Sequence, residues 1–501
     1  MAKTWATSGG SGGSSPRAST VGGSGGSSPR AGTAGGPTLR SAGTAGLDLH
    51  LDLTGSRVRT SLEAALREAV RGGRLLPGTR LPSSRALAAD LGIARNTVAD
   101  SYGQLVAEGW LAARHGSGTW VAERTGTPPA VPAAATAQAR QARYDLRTGV
   151  PDVSAFPLPG WLAAARKALL AAPHWALGYT DPRGLPQLRT ALARYLSRAR
   201  GVAVTPDRVV VCAGFAQGLE LLCEALRVQG ATTLAVEEYG YERHWRIARE
   251  KGLALHALPV DAAGAVLTGL GRAQAVLLSP THQFPLGVPL EPARRRQAAD
   301  WAAATGGLII EDDYDGELRY DRQAVGALQA LAPERVVYAG TASKSLAPGL
   351  RLGWLVLPAH LVDQVAEAKG AMGRLSSSLD QLTLAEFIDS GAYDRQIRRA
   401  RLSYRRRRDR LVTALRREAP QVRVTGIAAG LHAVLRLPPG QREEDLVARA
   451  ARHGLAVEGL GTYSMGDHRE GPALVVGYAT PPPHAYTTAV ARLCAVLAKE
   501  G

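Results

Sequence analysis

Five short runs, Val209–Cys212, Thr233–Val236, Ala275–Leu278, Leu308–Ile310 and Val336–Tyr338, are almost wholly apolar, and stretches of helical periodicity separate them. Strands without polar alternation have to be covered on both faces. Their alternation with helices predicts an α/β fold with a mostly parallel sheet flanked by helices. Ligands of such sheets meet the carboxyl ends of the strands, so chemistry is to be sought in the residues that follow each run.

Beyond the last run, Thr341-Ala-Ser343-Lys344-Ser-Leu-Ala-Pro-Gly-Leu-Arg351 sets a lysine seven residues before an arginine in a glycine-punctuated turn. An amine forms a Schiff base with a carbonyl, and a planar guanidinium presents two donors to a phosphate. The pair suits an aldehyde cofactor that carries a phosphate, which describes pyridoxal 5'-phosphate. Lys344 would hold the aldehyde and Arg351 the phosphate, with Thr341 and Ser343 as neighbouring hydroxyls. Four further devices are expected around such a cofactor. A carboxylate opposite the pyridine nitrogen keeps the ring an electron sink, and Glu311-Asp312-Asp313-Tyr314-Asp315 follows the run Leu308–Ile310. Consecutive acids at a buried edge need a cationic partner; the alternative is an exposed acidic turn. Amides for the phosphate are offered by Gly214, Phe215 and Ala216, between Val209–Cys212 and a helix expected to begin near Gly218. Tyr241 could plate the ring or serve the core or surface. His282, in Ser279–Gly287, stands near the ring oxygen or is a structural histidine.

Upstream the pattern changes. Residues 1–46 are Gly, Ser, Ala, Thr and Pro with scattered Arg, and GGSGGSSPRA occurs twice; a disordered tail is expected. Residues 47–123 read as a small helical domain, 124–143 as a Pro/Ala-rich linker, and 144–501 as the large domain. Within the small one, Arg57–Arg71 carries Val58, Leu62, Ala65, Leu66 and Ala69 on one side. Ser83 or Ser84 caps a second helix ending at Leu91-Gly92, and Ala94–Glu108 forms a third. Two short helices joined by a Gly-containing turn present the start of the second to the major groove of DNA. Trp110–Ala113 and Gly118–Val121 can pair as a hairpin. A balance of 60 Lys+Arg against 43 Asp+Glu favours an anionic partner, nucleic acid first, although an arginine-rich proteome would give the same excess. Cys212, Cys223 and Cys494 lack metal-ligand spacing and read as buried thiols, with no metal expected. With no long apolar run, no membrane role is expected, and a cytoplasmic, nucleoid-associated protein is.

The string LPSSRALAADLGIARNTVADSYGQLVAEGWL, followed by GSGT, resembles the winged-helix domain of GntR-type bacterial transcription regulators. By that likeness Arg85, Arg95, Asn96 and Thr97 contact bases or phosphates. Arg114 and Ser117 reach the adjacent backbone or minor groove; Tyr102 reads as packing, and Arg80 stays open. SPTHQFPLG, IIEDDYDGELRY and TASKSLAPGLRLGW, in that order, resemble fold-type-I pyridoxal-phosphate aminotransferases. The fusion of the two resembles the MocR-type regulators from about residue 54 to 498. The resemblance implies Lys344 as the cofactor lysine, Arg351 on the phosphate, and Asp312 at the pyridine nitrogen with Asp313 in reserve. It also implies Tyr314 on the ring hydroxyl and Tyr179 reaching the phosphate of the other subunit of a homodimer. Val475 falls near where amino-acid-binding relatives keep an arginine for the substrate carboxylate. Either another arginine serves, or the ligand lacks a carboxylate, or the cofactor itself is the signal. The implied function is a pyridoxal-phosphate-dependent regulator of promoter DNA that senses the cofactor or a small amine. The alternatives are an aminotransferase with a DNA-binding appendage and a DNA-binding protein whose large domain is only a scaffold. Arg395–Arg410 is read as a solvated helical face rather than a second DNA site.

Overall fold

The computed structural model describes residues 58–114, 118–123, 143–320, 325–373, 375–466 and 470–498, which fall into two compact units on either side of 124–142. The tail, residues 47–57, the linker up to 142 and Ser117 lie outside the described residues.

In the first unit, α1 (Val58–Arg71) buries Leu62, Leu66 and Ala69, at the i, i+4, i+7 spacing of one helical face. Helix α2 (Ser84–Leu91) is capped by Ser83, whose hydroxyl accepts the Ala86 N–H at 3.1 Å. Gly92 ends it in the left-handed region at φ 64°. Ala94 provides no side-chain cap for α3 (Arg95–Ala107); its carbonyl instead accepts the Thr97 N–H at 3.0 Å. The hairpin pairs β1 (Leu111–Arg114) with β2 (Gly118–Val121), Leu111 opposite Val121. One core joins Leu62, Leu66, Leu87, Val98, Leu105, Trp110 and Val121. Tyr102 is buried there and donates its hydroxyl proton to the Pro82 carbonyl at 3.0 Å, a packing role.

The second unit is built on a seven-stranded sheet of β3 (Val209–Cys212), β4 (Thr233–Glu237), β5 (Ala254–Leu258), β6 (Ala275–Leu278), β7 (Leu308–Asp312), β8 (Val336–Thr341) and β9 (Gly353–Val356), in the order β3-β9-β8-β7-β6-β4-β5. The five runs expected as strands are all present. Two strands were not foreseen: β5, a half-exposed edge, and β9, which runs antiparallel to both neighbours inside the Lys344 motif. Both faces are covered, and successive residues of one strand serve opposite cores. Val210 and Cys212 pack under α6 (Phe215–Val228), while Val209 and Val211 pack under α5 (Pro186–Arg200), in one core with Ala164 of α4 (Leu158–Leu170). The mean pleat of a strand requires that division. A second sheet, antiparallel, orders β10 (Arg423–Thr425), β11 (His432–Arg436), β13 (Ala473–Gly477) and β12 (Glu458–Gly459) in that sequence. The 27-residue helix Ala392–Glu418 buries Tyr404, Leu411 and Leu415 against it and leaves Arg398, Arg399 and Arg406 exposed. Cys212, Cys223 and Cys494 are buried and unpaired.

Candidate functional site at the carboxyl ends of the sheet

A cavity of about 620 Å³ opens where β3, β4, β6, β7 and β8 end. Its other wall comes from the antiparallel sheet and from residues 145–150.

Lys344 lies in the connection from β8 to β9 and donates from Nζ to the Gly149 carbonyl at 2.5 Å. Burial draws the Lys344 ammonium below its ordinary range, against the opposing pull of Asp312 and Asp315. An amine so placed is easier to hold neutral, which nucleophilic attack on a carbonyl demands. Seven residues on, Arg351 adopts φ 52°, the only non-glycine residue in the left-handed region among the described residues. Such a conformation costs on the order of 1–3 kcal/mol and persists where surroundings enforce it. Its guanidinium donates to the Ala213 carbonyl and lies over Gly214, which takes φ 87° at the start of α6. A Cβ on Gly214 would stand 3.5 Å from Arg351 Nη1. That is an ordinary contact, so it is the left-handed φ that calls for glycine here, and the turn it allows brings the amides that begin α6 beside the guanidinium, a setting for a phosphate. The helix starts at Phe215, not near Gly218 as the sequence suggested, because Gly214 already supplies the turn.

The acidic run resolves into three separate partnerships and one carboxyl that faces the cavity. Glu311 accepts the Leu328 and Gln329 N–H groups at 2.8 and 2.9 Å. Asp313 is held by Arg200, Nε–Oδ2 2.7 Å and Nη2–Oδ1 3.1 Å, and accepts the Tyr338 hydroxyl at 2.8 Å. Burial opposes the Arg200 charge, but the Asp313 carboxylate more than offsets it, and the guanidinium is held above its ordinary range. Asp315 pairs with His282 Nδ1 at 2.8 Å. Asp312 alone of the run's acids lines the cavity. Burial pushes its carboxyl well above the usual range, with Lys344 acting in the opposite sense. Gly316 permits this packing, since a Cβ there would lie 2.1 Å from Asp313 Oδ1.

Of the sequence candidates, Lys344, Arg351, Asp312, Tyr314, Tyr241, Gly214, Phe215, Thr341 and Ser343 converge on the cavity. His282 does not line it; it sits behind Tyr314, whose hydroxyl is 3.1 Å from His282 Nδ1. Ala216 and Asp313 are also absent from its walls. Tyr179 is fully exposed. Sequence reading missed His244, which packs tilted against Phe215 at 4.7 Å and edge-on to Tyr241 at 5.4 Å. It missed Glu237 too, whose place after a run marked it. Burial draws His244 down to about 3 and pushes Glu237 up to about 8. Arg147, Glu458 and Tyr463 complete the list, in segments with no motif. Val475 is fully buried among Tyr239, Leu460 and Tyr463. In the first unit Arg85, Arg95, Asn96 and Arg114 are exposed and Thr97 is half-buried. Arg80 lies over the Trp120 ring at 5.8 Å.

Comparison with known proteins places this geometry. The profile for "Bacterial regulatory proteins, gntR family" matches residues 59–121, and that for "Aminotransferase class I and II" matches residues 144–461. The probable rhizopine catabolism regulatory protein MocR of Rhizobium meliloti is 33% identical over 78% of this chain and 84% of its own length. The chain belongs to the MocR-type regulators of the GntR family. The pyridoxine biosynthesis transcriptional regulator PdxR of Corynebacterium glutamicum is 34% identical over 81% of this chain and 88% of its own. An archaeal alanine:glyoxylate aminotransferase superposes on 72% of this chain and 93% of its own with a TM-score of 0.65 at 25% identity. This MocR-type chain thus joins a winged helix of DNA-binding type to a fold-type-I aminotransferase domain, a fold that typically depends on pyridoxal phosphate.

Two outcomes follow from the buried charges. Replacing Asp313 with Ala leaves Arg200 buried without its anion and should cost about 3–5 kcal/mol of stability, read by chemical denaturation; Asp313→Asn should cost less. Glu237 is protonated in the folded chain up to about pH 8, whereas its ordinary value is 4.5. The folded state therefore binds a proton that the unfolded state has released, and stability should fall as pH rises across that window. Denaturation midpoints at pH 6 and pH 8.5 should differ less in Glu237→Gln than in the unchanged protein.

Proposed function

We propose that this chain is a homodimeric regulator that binds promoter DNA through residues 47–123 and holds pyridoxal 5'-phosphate in residues 144–501, where the cofactor or a small amine is the signal. The observation that carries the reading is the meeting of Lys344, Asp312 and the Arg351–Gly214 cradle in one cavity. These residues fit the group. Lys344 would hold its aldehyde carbon, and Arg351 and the first amides of α6 its phosphate. Asp312 would stand at the pyridine nitrogen, Tyr241 against the ring, and Tyr314 at the ring oxygen. Bound there, pyridoxal phosphate supplies an electrophilic carbon and an electron-withdrawing ring. Lys344, whose ammonium burial draws below its ordinary range, would be the amine that holds this carbon and that an incoming amine would have to displace. Phe215, Trp245 and Phe284 give the walls apolar surface against which such a ring can pack. The name of the PdxR relative ties it to pyridoxine biosynthesis, which supports the cofactor as a signal.

The dimer reading rests on exposed apolar side chains. Leu158, Leu162, Leu170, Trp175, Leu177 and Tyr179 are all more than half exposed within one stretch, and monomers rarely display so much apolar surface together. A second copy related by a two-fold axis would cover it and set the spacing of two DNA half-sites. With promoter DNA as partner, the place of action is the cytoplasm, at the nucleoid. A ligand that prefers one arrangement of the domains would shift DNA affinity by that preference.

Purified with added pyridoxal phosphate, the protein should show an absorption band near about 420 nm that Lys344→Ala lacks; a band kept by that variant refutes the cofactor assignment. Steady multiple-turnover amino-group transfer to an oxo acid would favour the aminotransferase reading instead. Arg95→Ala should weaken binding to the gene's own upstream DNA about ten-fold or more, measured by fluorescence anisotropy. Arg114→Ala should lower the slope of log affinity against log salt by about 0.9 per lost phosphate contact.

A further inference from the structure

The charges that line the cavity are unequal in their commitments. Three strong cations reach it: Lys344, Arg351 and Arg147. The first two belong to the cofactor end. Arg147 is already closed onto its neighbour Asp145, Nε–Oδ1 3.0 Å and Nη2–Oδ2 2.8 Å, with its own backbone N–H bonded to the same carboxylate. The two lining histidines, His244 and His432, are drawn by burial to about 3 and stay uncharged at neutral pH. Among the described residues no uncommitted cation remains in the cavity to meet a ligand carboxylate.

The acidic side is the reverse. Glu458 stands in the register position opposite Val475, on the antiparallel sheet that walls the cavity. Its carboxylate takes one hydrogen bond, from the Tyr463 hydroxyl at 2.5 Å, while Arg147 acts on it only through space, its guanidinium being forked onto Asp145. A carboxylate has room for about four hydrogen bonds, so this one keeps capacity for a donor from within the cavity. Tyr463 itself touches Thr148 Oγ1 at 3.0 Å, and the next residue, Gly149, receives the Lys344 amine. A path of contacts thus runs along one wall of the cavity from Lys344 through Gly149, Thr148 and Tyr463 to Glu458. Phe284 and Tyr463, edge to face at 5.0 Å, add the aromatic surface that attracts a cation.

We propose that the effector of this cavity is a small aliphatic diamine, one amino group directed to Lys344 and the other held as an ammonium by Glu458 beside Tyr463, and that amino acids of the same length are refused for want of a cation. The assignment rests on the reading above that an amine enters the cofactor-loaded cavity.

The test is calorimetric titration of the full chain, loaded with pyridoxal phosphate and freed of excess, with 1,4-diaminobutane, 4-aminobutanoate and butylamine. The diamine should bind about 10- to 100-fold more tightly than either of the others, the margin expected of a charge-assisted hydrogen bond. Glu458→Gln should erase most of that margin. Tyr463→Phe, which keeps the charge but loses the bond that orients it, should reduce it several-fold and serves if the first variant does not fold. Equal or tighter binding of 4-aminobutanoate, no binding of the diamine, or an undiminished margin in the variants overturns the proposal. The cofactor's absorption is read on the same samples. Loss of the band in the unchanged protein refutes the cofactor reading and this one with it, whereas an intact band without diamine preference refutes this one alone.

Discussion

The buried pair of Arg200 and Asp313 decides how the catalytic-type edge of the sheet is laid out. Two charges withdrawn from water need each other and further hydrogen bonds, and here the carboxylate has a bidentate guanidinium and the Tyr338 hydroxyl. With Asp313 pinned toward α5, the alternation of the extended backbone turns Asp312 to the opposite side, into the cavity. Asp315, two residues further, is drawn to His282, and that histidine supports Tyr314 from behind. One ion pair thus distributes a run of acids into a scaffold and a single cavity-facing carboxyl.

Charge is managed by depth. Burial disfavours charge on the groups of the inner site, drawing the Lys344 ammonium below its ordinary range and pushing the Glu237 and Asp312 carboxyls above theirs. Toward the mouth, Arg147 and Asp145 are exposed and cancel one another. Only the Arg351 cradle, backed by helix amides, offers a concentrated positive setting, and it suits a phosphate rather than a carboxylate.

The sheet was legible because buried parallel strands carry their signature in every residue. Strand β5, half exposed at the edge, and β9, embedded in a glycine-rich motif, lack that signature, and both went unread. The Lys344–Arg351 spacing was legible because its chemistry is local. Choosing between Asp312 and Asp313 was not, since the decision is made by Arg200, more than a hundred residues upstream. His282 was left between a place near the ring and a structural role, because Asp315, which holds it behind Tyr314, is 33 residues away in sequence. Arg147, Glu458 and Tyr463 come from segments whose local patterns are unremarkable; their meeting is a product of the antiparallel sheet folding over the cavity. In the winged helix, either serine could have capped α2, and the Ala86 amide shows that Ser83 does.

Lys344 and Arg351 ride on one short connection between two hydrogen-bonded neighbours, β8 and β9, with Thr341 paired to Gly353 at its base. Amine and guanidinium are consequently yoked, and no sliding of one lobe past another can change the span between them. Whatever give the chamber has must lie across from them, on the side that carries Leu431, Glu458 and Tyr463. A molecule settling into the chamber would thus meet a hydrogen-bonded sheet edge on one side and a wall carried by a separate sheet on the other.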